Sequence, residues 1–353
     1  MEIIKGKTME DAYIKAIREV MVFGKETSPR GSKTKEIAPA TIVIEDARRF
    51  LSAPPARKIN PCFGVAETLW FLRGSDDLEE IAHYNSVWRY FEDCDAKGKL
   101  NGAYGKRLRD WNGIDQLTEI YEKLKKDPDT RQAIAIIFDP ERDNKIRCHG
   151  GYSKDIPCTS YFNFQIRDGK LNMHVVMRSN DLHKGFIYDA HNFMLIQNII
   201  AGWLNIEVGK YTHTASSLHI YENDYANMWD ILDEYEKEGK SVYNNTSRLL
   251  NISVEKSEFD DIMERLKCID ANCRFLFNSF KSGRQINYLD TFETTAKSVE
   301  FIENEFWANV GYMIVVYNMR KCKISKDVWG KIVEEKINSE YRQLFLNLSD
   351  LSK

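Results

Sequence analysis

The chain has 353 residues, with 50 Lys and Arg against 53 Asp and Glu, a formal charge of −3. That balance excludes a protein that grips nucleic acid mainly through charge. An apolar fraction of 43% with 12% aromatics excludes wholesale disorder and supplies one large core or two ordinary ones.

In chain order, residues 8–23 set Ala12, Ile14, Ala16, Ile17, Val20 and Val22 at spacings that predict an amphipathic helix. Lys25–Lys35, rich in Ser, Pro, Gly and Lys, reads as a loop, and Ala40–Ile44 as a short β-branched strand. Residues 62–73 (CFGVAETLWFLR) predict a mostly buried helix carrying one carboxylate, Glu67. Residues 115–126 predict another, ended by Asp127-Pro128-Asp129. The clearest local signal lies in 158–178, where two β-rich runs meet at Asp168-Gly169, a hairpin turn. Residues 190–204 predict a core helix, and Glu207–Tyr221 returns to strand character. Beyond about residue 225 the pattern is mainly helical, with Phe306, Val310, Met313 and Tyr317 at helical spacing. The reading is an α+β chain: a core over residues 1–225 with its strands in the middle, and a mainly helical C-terminal region over residues 226–353.

The N-terminus carries charges throughout and has no apolar signal core. The longest uncharged runs, Ala190–Ile206 and Phe306–Met319, fall short of the roughly 18 apolar residues of a membrane span. Seven cysteines without a CxxC pair suit a reducing compartment. A cytoplasmic protein with no membrane or nucleic-acid partner is expected. Cys148-His149 with Cys158, or Cys268 with Cys273, are too sparse for a metal site, so no metal is expected.

Several residue types carry chemistry. Cys158 opens the hairpin and is either a buried spacer or a nucleophile. In a regular two-residue hairpin, partners sum to about 337, which sets Cys158 across from Ser179 and beside Arg178. A guanidinium there favours the thiolate, and Arg178 with Ser179 makes a fair anion site. Glu67, a charge inside an apolar helix, is either structurally paired or an acid–base group whose pKa burial raises. The loop around Arg30, with Ser32, Lys33 and Thr34, is either solvated surface or a phosphate clamp. Asn101–Lys106 lacks the glycine spacing and the Ser/Thr of a phosphate loop and is set aside.

These residues, with their neighbours, resemble the folate-dependent thymidylate synthase family. The resemblance spans roughly residues 8–225. It rests on Arg30-Gly31, AETLWFLRG at 66–74, VW at 87–88, AYGKRLRDW at 103–111, DQL at 115–117 and DPDTRQ at 127–132. It continues with PC at 157–158, DGKL at 168–171, RSND at 178–181, Gly185, IEVG at 206–209 and HIY at 219–221. The resemblance implies a two-layer α+β subunit with a large mixed sheet at the interface of a homodimer. It implies a pyrimidine nucleoside monophosphate as substrate and 5,10-methylenetetrahydrofolate as one-carbon donor. Cys158 would add to C6 of the base. Arg30, Arg178 and Ser179 would hold the phosphate, with Arg131 arriving from the other subunit, and His219 and Tyr221 would bind the sugar 3′-hydroxyl. Glu67 would organise water and proton transfers, Tyr104 would assist loss of the C5 proton, and Trp88, Asp181 and Gly185 would line the folate site.

The departures narrow the function. Asp189 stands where the family's thymidylate makers carry Asn. An amide matches the N3–H and O4 of uracil, whereas a protonated carboxyl offers the donor and acceptor that cytosine N3 and N4 require. This feature resembles the deoxycytidylate and cytidylate hydroxymethyltransferases. Gln132 replaces the second arginine of an Arg-Arg pair, Thr159 replaces the usual His, and over a hundred C-terminal residues replace a short hydrophobic ending. Looser closure would let water capture the one-carbon unit before hydride transfer. Three readings stay open: a cytidylate 5-hydroxymethyltransferase, with dCMP favoured over CMP; a methylating enzyme making 5-methyl-dCMP or dTMP; and a catalytically silent nucleotide- or RNA-binding relative.

Overall fold

In a computed structural model, which describes residues 2–52, 54–92, 98–148, 151–238, 251–339 and 341–342, strand β1 (Glu2–Gly6) feeds helix α1 (Met9–Phe23). Thr8 caps this helix by accepting from the Asp11 amide. The segment after α1 is not the irregular loop its composition predicts. It folds as a hairpin of β2 (Lys25–Thr27) and β3 (Thr34–Ile37) around the turn Pro29–Gly31, and β4 (Ala40–Ile44) follows. The hairpin strands are short and largely exposed, so no apolar alternation announces them.

Helix α2 (Pro61–Leu72) begins at Pro61 behind an Asn60 cap and is buried along its whole length. Helices α3 (Leu78–Ala82), α4 (Tyr104–Arg109) and α5 (Gln116–Lys126) lead to β5 (Ile134–Ile136). A short helix α6 (Pro140–Asp143) and the two-residue pair β6 (Arg147–Cys148) and β7 (Gly151–Tyr152) precede the central hairpin. That hairpin is β8 (Thr159–Arg167) and β9 (Lys170–Met177). Both turn residues have positive φ, Asp168 at 54° and Gly169 at 72°, as a primed turn requires. Then come β10 (Asn180–Asp181), α7 (Phe186–Trp203), β11 (Glu207–Ala215), β12 (Leu218–Tyr221) and α8 (Tyr225–Glu238). The C-terminal region is α9 (Lys256–Lys281), α10 (Tyr288–Val299), α11 (Glu305–Lys321) and α12 (Lys326–Lys336).

A six-stranded mixed sheet runs β1-β4-β11-β9-β8-β5, and a second sheet runs β10-β12-β3-β2. Leu171, Met173, Val175 and Met177 of β9 point into the core that α7 covers. On the opposite face Tyr161, Asn163, His174, Thr212 and Thr214 stay partly exposed, and at its edge Ile134 and Ile136 are 38% and 49% exposed. The C-terminal helices close over α2, with α11 against both α2 and α9. Asp270 of α9 accepts from Tyr84 at 2.6 Å and pairs with Arg73 and Arg274, tying that region to the end of α2. Among the described residues no helix is long and apolar enough to cross a membrane.

Cysteine chemistry departs from the reduced state expected throughout. Cys148 is disulfide-bonded, which removes it as a metal thiolate, and His149 lies outside the described residues. Of the other pair, Cys268 is exposed and Cys273 is buried, both on α9.

Candidate active site

The site forms where the two sheets and α2, α4 and α7 meet. Cys158 immediately precedes β8. The regular hairpin sum holds from Arg167 opposite Lys170 to Tyr161 opposite Val176, then a bulge shifts it and Thr159 pairs with Met177. The register expected for Cys158 is therefore corrected by one residue: it lies across from Arg178, not Ser179. The Arg178 amide donates to the Cys158 carbonyl at 2.8 Å. The Arg178 guanidinium donates to the carbonyls of Pro157 and Ile156, both at 2.9 Å, clamping the segment that presents the thiol. Burial pushes the Cys158 thiol above its ordinary value, against the pull of Arg178 and Arg30 and with the charge of Asp189 adding to the rise. The thiolate expected from arginine proximity is thus not the resting form of the free subunit; desolvation outweighs the guanidinium.

Glu67 is 5% exposed within α2. Burial, and then the charge of Asp189, lift its carboxyl to about 8, while a hydrogen bond from Asn192 Nδ2 at 2.7 Å opposes the rise. Asp189 lies in the first turn of α7, partly exposed; desolvation lifts it to about 7 although Asn180 Nδ2 donates to its Oδ2 at 2.8 Å. Tyr104 opens α4. Its hydroxyl accepts from the Thr159 amide at 3.3 Å, one residue past the thiol, and burial followed by the charges of Cys158 and Asp189 raises its pKa far above the ordinary phenol value. The approach of α4 to α2 depends on Gly105, where an added Cβ would lie 2.6 Å from the Phe71 Cα.

The second sheet gathers the polar rim. Parallel pairing of β10 with β12 sets Asp181 beside His219, and antiparallel pairing of β12 with β3 sets Tyr221 against Thr34. The His219 and Tyr221 rings meet edge to face at 5.2 Å. Arg30 occupies the turn of the β2–β3 hairpin, exposed, with φ 52° and ψ 31°. A non-glycine residue in that left-handed region costs about 1 kcal/mol or more, a cost most often met where a side chain must be aimed. Arg30 adds its charge to those around Cys158 and Tyr221. Ser179 is partly exposed between Arg178 and the buried Asn180.

Trp88 lies on the turn Ser86–Phe91, half-exposed, its ring 5.6 Å from Trp70 of α2 and 5.8 Å from Phe91. Asp181 Oδ1 accepts from the amides of His183 and Lys184, shaping the bend into Gly185. At Gly185 an added Cβ would meet Asn180 Nδ2 at 3.0 Å and Asp189 Oδ2 at 3.2 Å. Arg131 is apart from these groups. It stands exposed on the turn before β5, and among the described residues no hydrogen bond or ion pair joins it to them.

Asn180, His191, Asn192 and Thr68 escape a reading by residue type, yet all touch the carboxyl pair or its partners. The available signal is three polar side chains, at 189, 191 and 192, in the first two turns of a core helix, whose later Gln197 and Asn198 bond backbone carbonyls instead.

A sequence model of thymidylate synthase matches residues 11–265. The chain is 33% identical over 298 residues to a deoxyuridylate hydroxymethyltransferase of Bacillus phage SP01, covering 81% of this chain and 73% of that protein. It is 28% identical over 237 residues to putative thymidylate synthases of Methanosarcina barkeri and Methanosarcina mazei, covering 67% of this chain and 94% of each.

Proposed function

The chain belongs to the thymidylate synthase family, whose one-carbon donor is 5,10-methylenetetrahydrofolate, and we propose that it hydroxymethylates C5 of a cytidine 5′-monophosphate, dCMP in preference to CMP. The observation that carries this reading is the Asp189 carboxyl, lifted to about 7 and held through Oδ2 by Asn180. Because Oδ2 already accepts from Asn180, a proton on this carboxyl belongs on Oδ1. Oδ1–H then donates to cytosine N3 while Oδ2 accepts from the N4 amine.

Cys158 Sγ adds to C6, and the electron pair moves through the ring so that C5 becomes nucleophilic. Glu67, close to neutral pH in its titration, passes protons toward the exocyclic position of the base. Tyr104, anchored beside the nucleophile, takes part in removing the C5 proton. Arg30, Arg178 and Ser179 bind phosphate, His219 and Tyr221 the 3′-hydroxyl, and Arg131 completes the phosphate site of the partner subunit in a homodimer. The open sheet face with Ile134 and Ile136 beside Arg131 supports that dimer. The partly exposed Trp88 ring, with Asp181 and Gly185, is assigned to a bulky planar co-substrate, which supplies the methylene carbon. Loss of the C5 proton expels the folate nitrogen as tetrahydrofolate and leaves an exocyclic methylene on C5; water adds to that carbon and Cys158 leaves C6, giving hydroxymethylated nucleotide without oxidation of the folate.

A second reading, hydroxymethylation of dUMP, is favoured by the name of the phage relative. Incubation with dCMP, CMP and dUMP plus methylenetetrahydrofolate, with products resolved by mass, separates the two. A hydroxymethylated cytosine nucleotide is expected; a hydroxymethyluracil product alone overturns the cytidylate reading, and a methylated product overturns water capture.

A further inference from the structure

The C-terminal helices reach the candidate acid–base group through an unbroken set of hydrogen bonds. Asn192 and His191 are adjacent on α7, both buried. Asn192 Nδ2 donates to Glu67 Oε2 at 2.7 Å. Asn192 Oδ1 faces two other groups, the Thr68 hydroxyl and His191 Nδ1, the latter at 3.2 Å. His191 Nε2 meets the hydroxyl of Tyr341 at 3.3 Å. Tyr341 lies beyond α12, 1% exposed, against Phe306 of α11. Its segment is seated by Asn309 of α11, whose Oδ1 accepts from the Asn338 amide at 2.9 Å, and by Asn338 Oδ1, which accepts from the Tyr341 amide at 3.3 Å.

We propose that Tyr341 is a positioning residue for Glu67: its hydroxyl donates to His191 Nε2, fixes the Nδ1–H tautomer, and so holds the Asn192 amide with its NH2 toward the Glu67 carboxyl. A neutral imidazole has one donor and one acceptor, and burial holds His191 down at about 4, so the ring is neutral in the working range. With Nε2 accepting from tyrosine, Nδ1 must carry the proton and donate to Asn192 Oδ1. Thr68 lies on the same oxygen, which leaves the amide nitrogen one direction, toward Glu67. Without the tyrosine hydroxyl the proton is free to move to Nε2. The bare Nδ1 then faces Asn192 Oδ1, and rotation of the amide relieves the clash by turning its oxygen onto Glu67. An N–H facing a carboxyl favours its ionised form, whereas a carbonyl oxygen favours the protonated one.

Few other charges compete for this control. Asp189 and Tyr188 of α7 face Glu67, and Tyr104 of α4 is coupled to Asp189. Glu80 and Asp270 pair with Arg73, just past the far end of α2, and with Arg274. The inference rests on the reading of Glu67 as the proton-transfer group, and it assigns a task to a segment that lies outside the matched family region.

Tyr341→Phe removes one hydroxyl and keeps the ring packing. Two readouts need no turnover: the 15N tautomer signature of His191, identified by its loss in His191→Gln, and the 13C carboxyl titration of Glu67, identified by its loss in Glu67→Gln. Expected in Tyr341→Phe are a shift of His191 toward the Nε2–H form and a Glu67 titration higher by about half a unit to one unit. A third readout is kinetic: kcat falls about 3- to 10-fold with the matching pH limb displaced upward and nucleotide KM nearly unchanged. An unchanged tautomer, or an unmoved Glu67 titration, overturns the proposal. Moved signals in a protein that turns over no nucleotide uphold this coupling and overturn the enzymatic reading instead.

Discussion

Replacing Glu67 with Gln tests whether the helix that carries it stores a proton at neutral pH. The carboxyl titrates from an ordinary 4.5 to about 8 in the folded chain, chiefly because it is buried. Between those values the folded state holds a proton that the unfolded chain has released. A carboxyl raised in this way contributes fully below its unfolded pKa, and that contribution is lost as pH rises through the folded one. Each unit of difference is worth about 1.4 kcal/mol, so from pH 5 to pH 9 wild-type protein should lose about 3–4 kcal/mol relative to Glu67→Gln, an order-of-magnitude figure. Gln retains an oxygen to accept from Asn192, so the comparison isolates the proton. The assay is urea denaturation of both proteins at pH 5 and pH 9 at one fixed protein concentration, because a dimer would couple stability to concentration. Adding Asp189→Asn should shrink the difference, since the Asp189 charge is the second cause of the rise. A stability gap that is the same at both pH values would refute the argument.

Two further outcomes follow from the cleft. Asp189→Asn should lower kcat/KM for dCMP and raise it for dUMP, changing their ratio by about 5- to 150-fold, as a buried hydrogen-bond mismatch of about 1–3 kcal/mol implies; in the native protein kcat/KM for dCMP should fall as pH rises above about 7, where Asp189 loses its proton. Arg131→Ala and Cys158→Ser should each be inactive alone, yet equal mixing should restore roughly a quarter of wild-type activity, because half the dimers are hybrids with one intact site; no recovery after verified subunit exchange excludes a shared phosphate site.

What the sequence disclosed depended on the kind of physics involved. The Asp168-Gly169 hairpin, the apolar α2 and the periodic α11 follow from local preference and side-chain period, and the structure has them within a few residues. The β2–β3 hairpin was hidden because its strands bury little, and their order comes from pairing with β12, a partner almost two hundred residues away. The bulge before Thr159 was hidden for a similar reason. One extra residue leaves no trace in composition, yet it alone decides that Arg178 rather than Ser179 lies across from Cys158. Arginine near the thiol was legible, but its effect was not, because desolvation is a property of the finished cleft. His191 and Tyr341 are 150 residues apart, and no spacing rule joins them.

In the proposed cytidylate reading, base choice would rest on a finer point than the presence of a carboxyl. A neutral carboxyl has one donor and one acceptor, and turning the proton from one oxygen to the other converts a match for cytosine into a match for uracil. What removes that freedom is Asn180, whose amide donates to Asp189 Oδ2 and so keeps the proton on Oδ1. In the pose proposed for cytosine, uracil would then set N3–H against Oδ1–H and O4 against Oδ2, two mismatches together. Asn180→Ala releases the proton without touching Arg178, Ser179 or the base-facing carboxyl itself. The dCMP preference over dUMP should then contract by about 5- to 50-fold, mainly through a gain in kcat/KM for dUMP, while the affinity for inorganic phosphate as a competitive ligand stays within about twofold, as loss of a group outside the anion site implies. If the preference survives Asn180→Ala intact, the proton is fixed by something other than Asn180, and the carboxyl pair with Glu67 becomes the place where specificity is set.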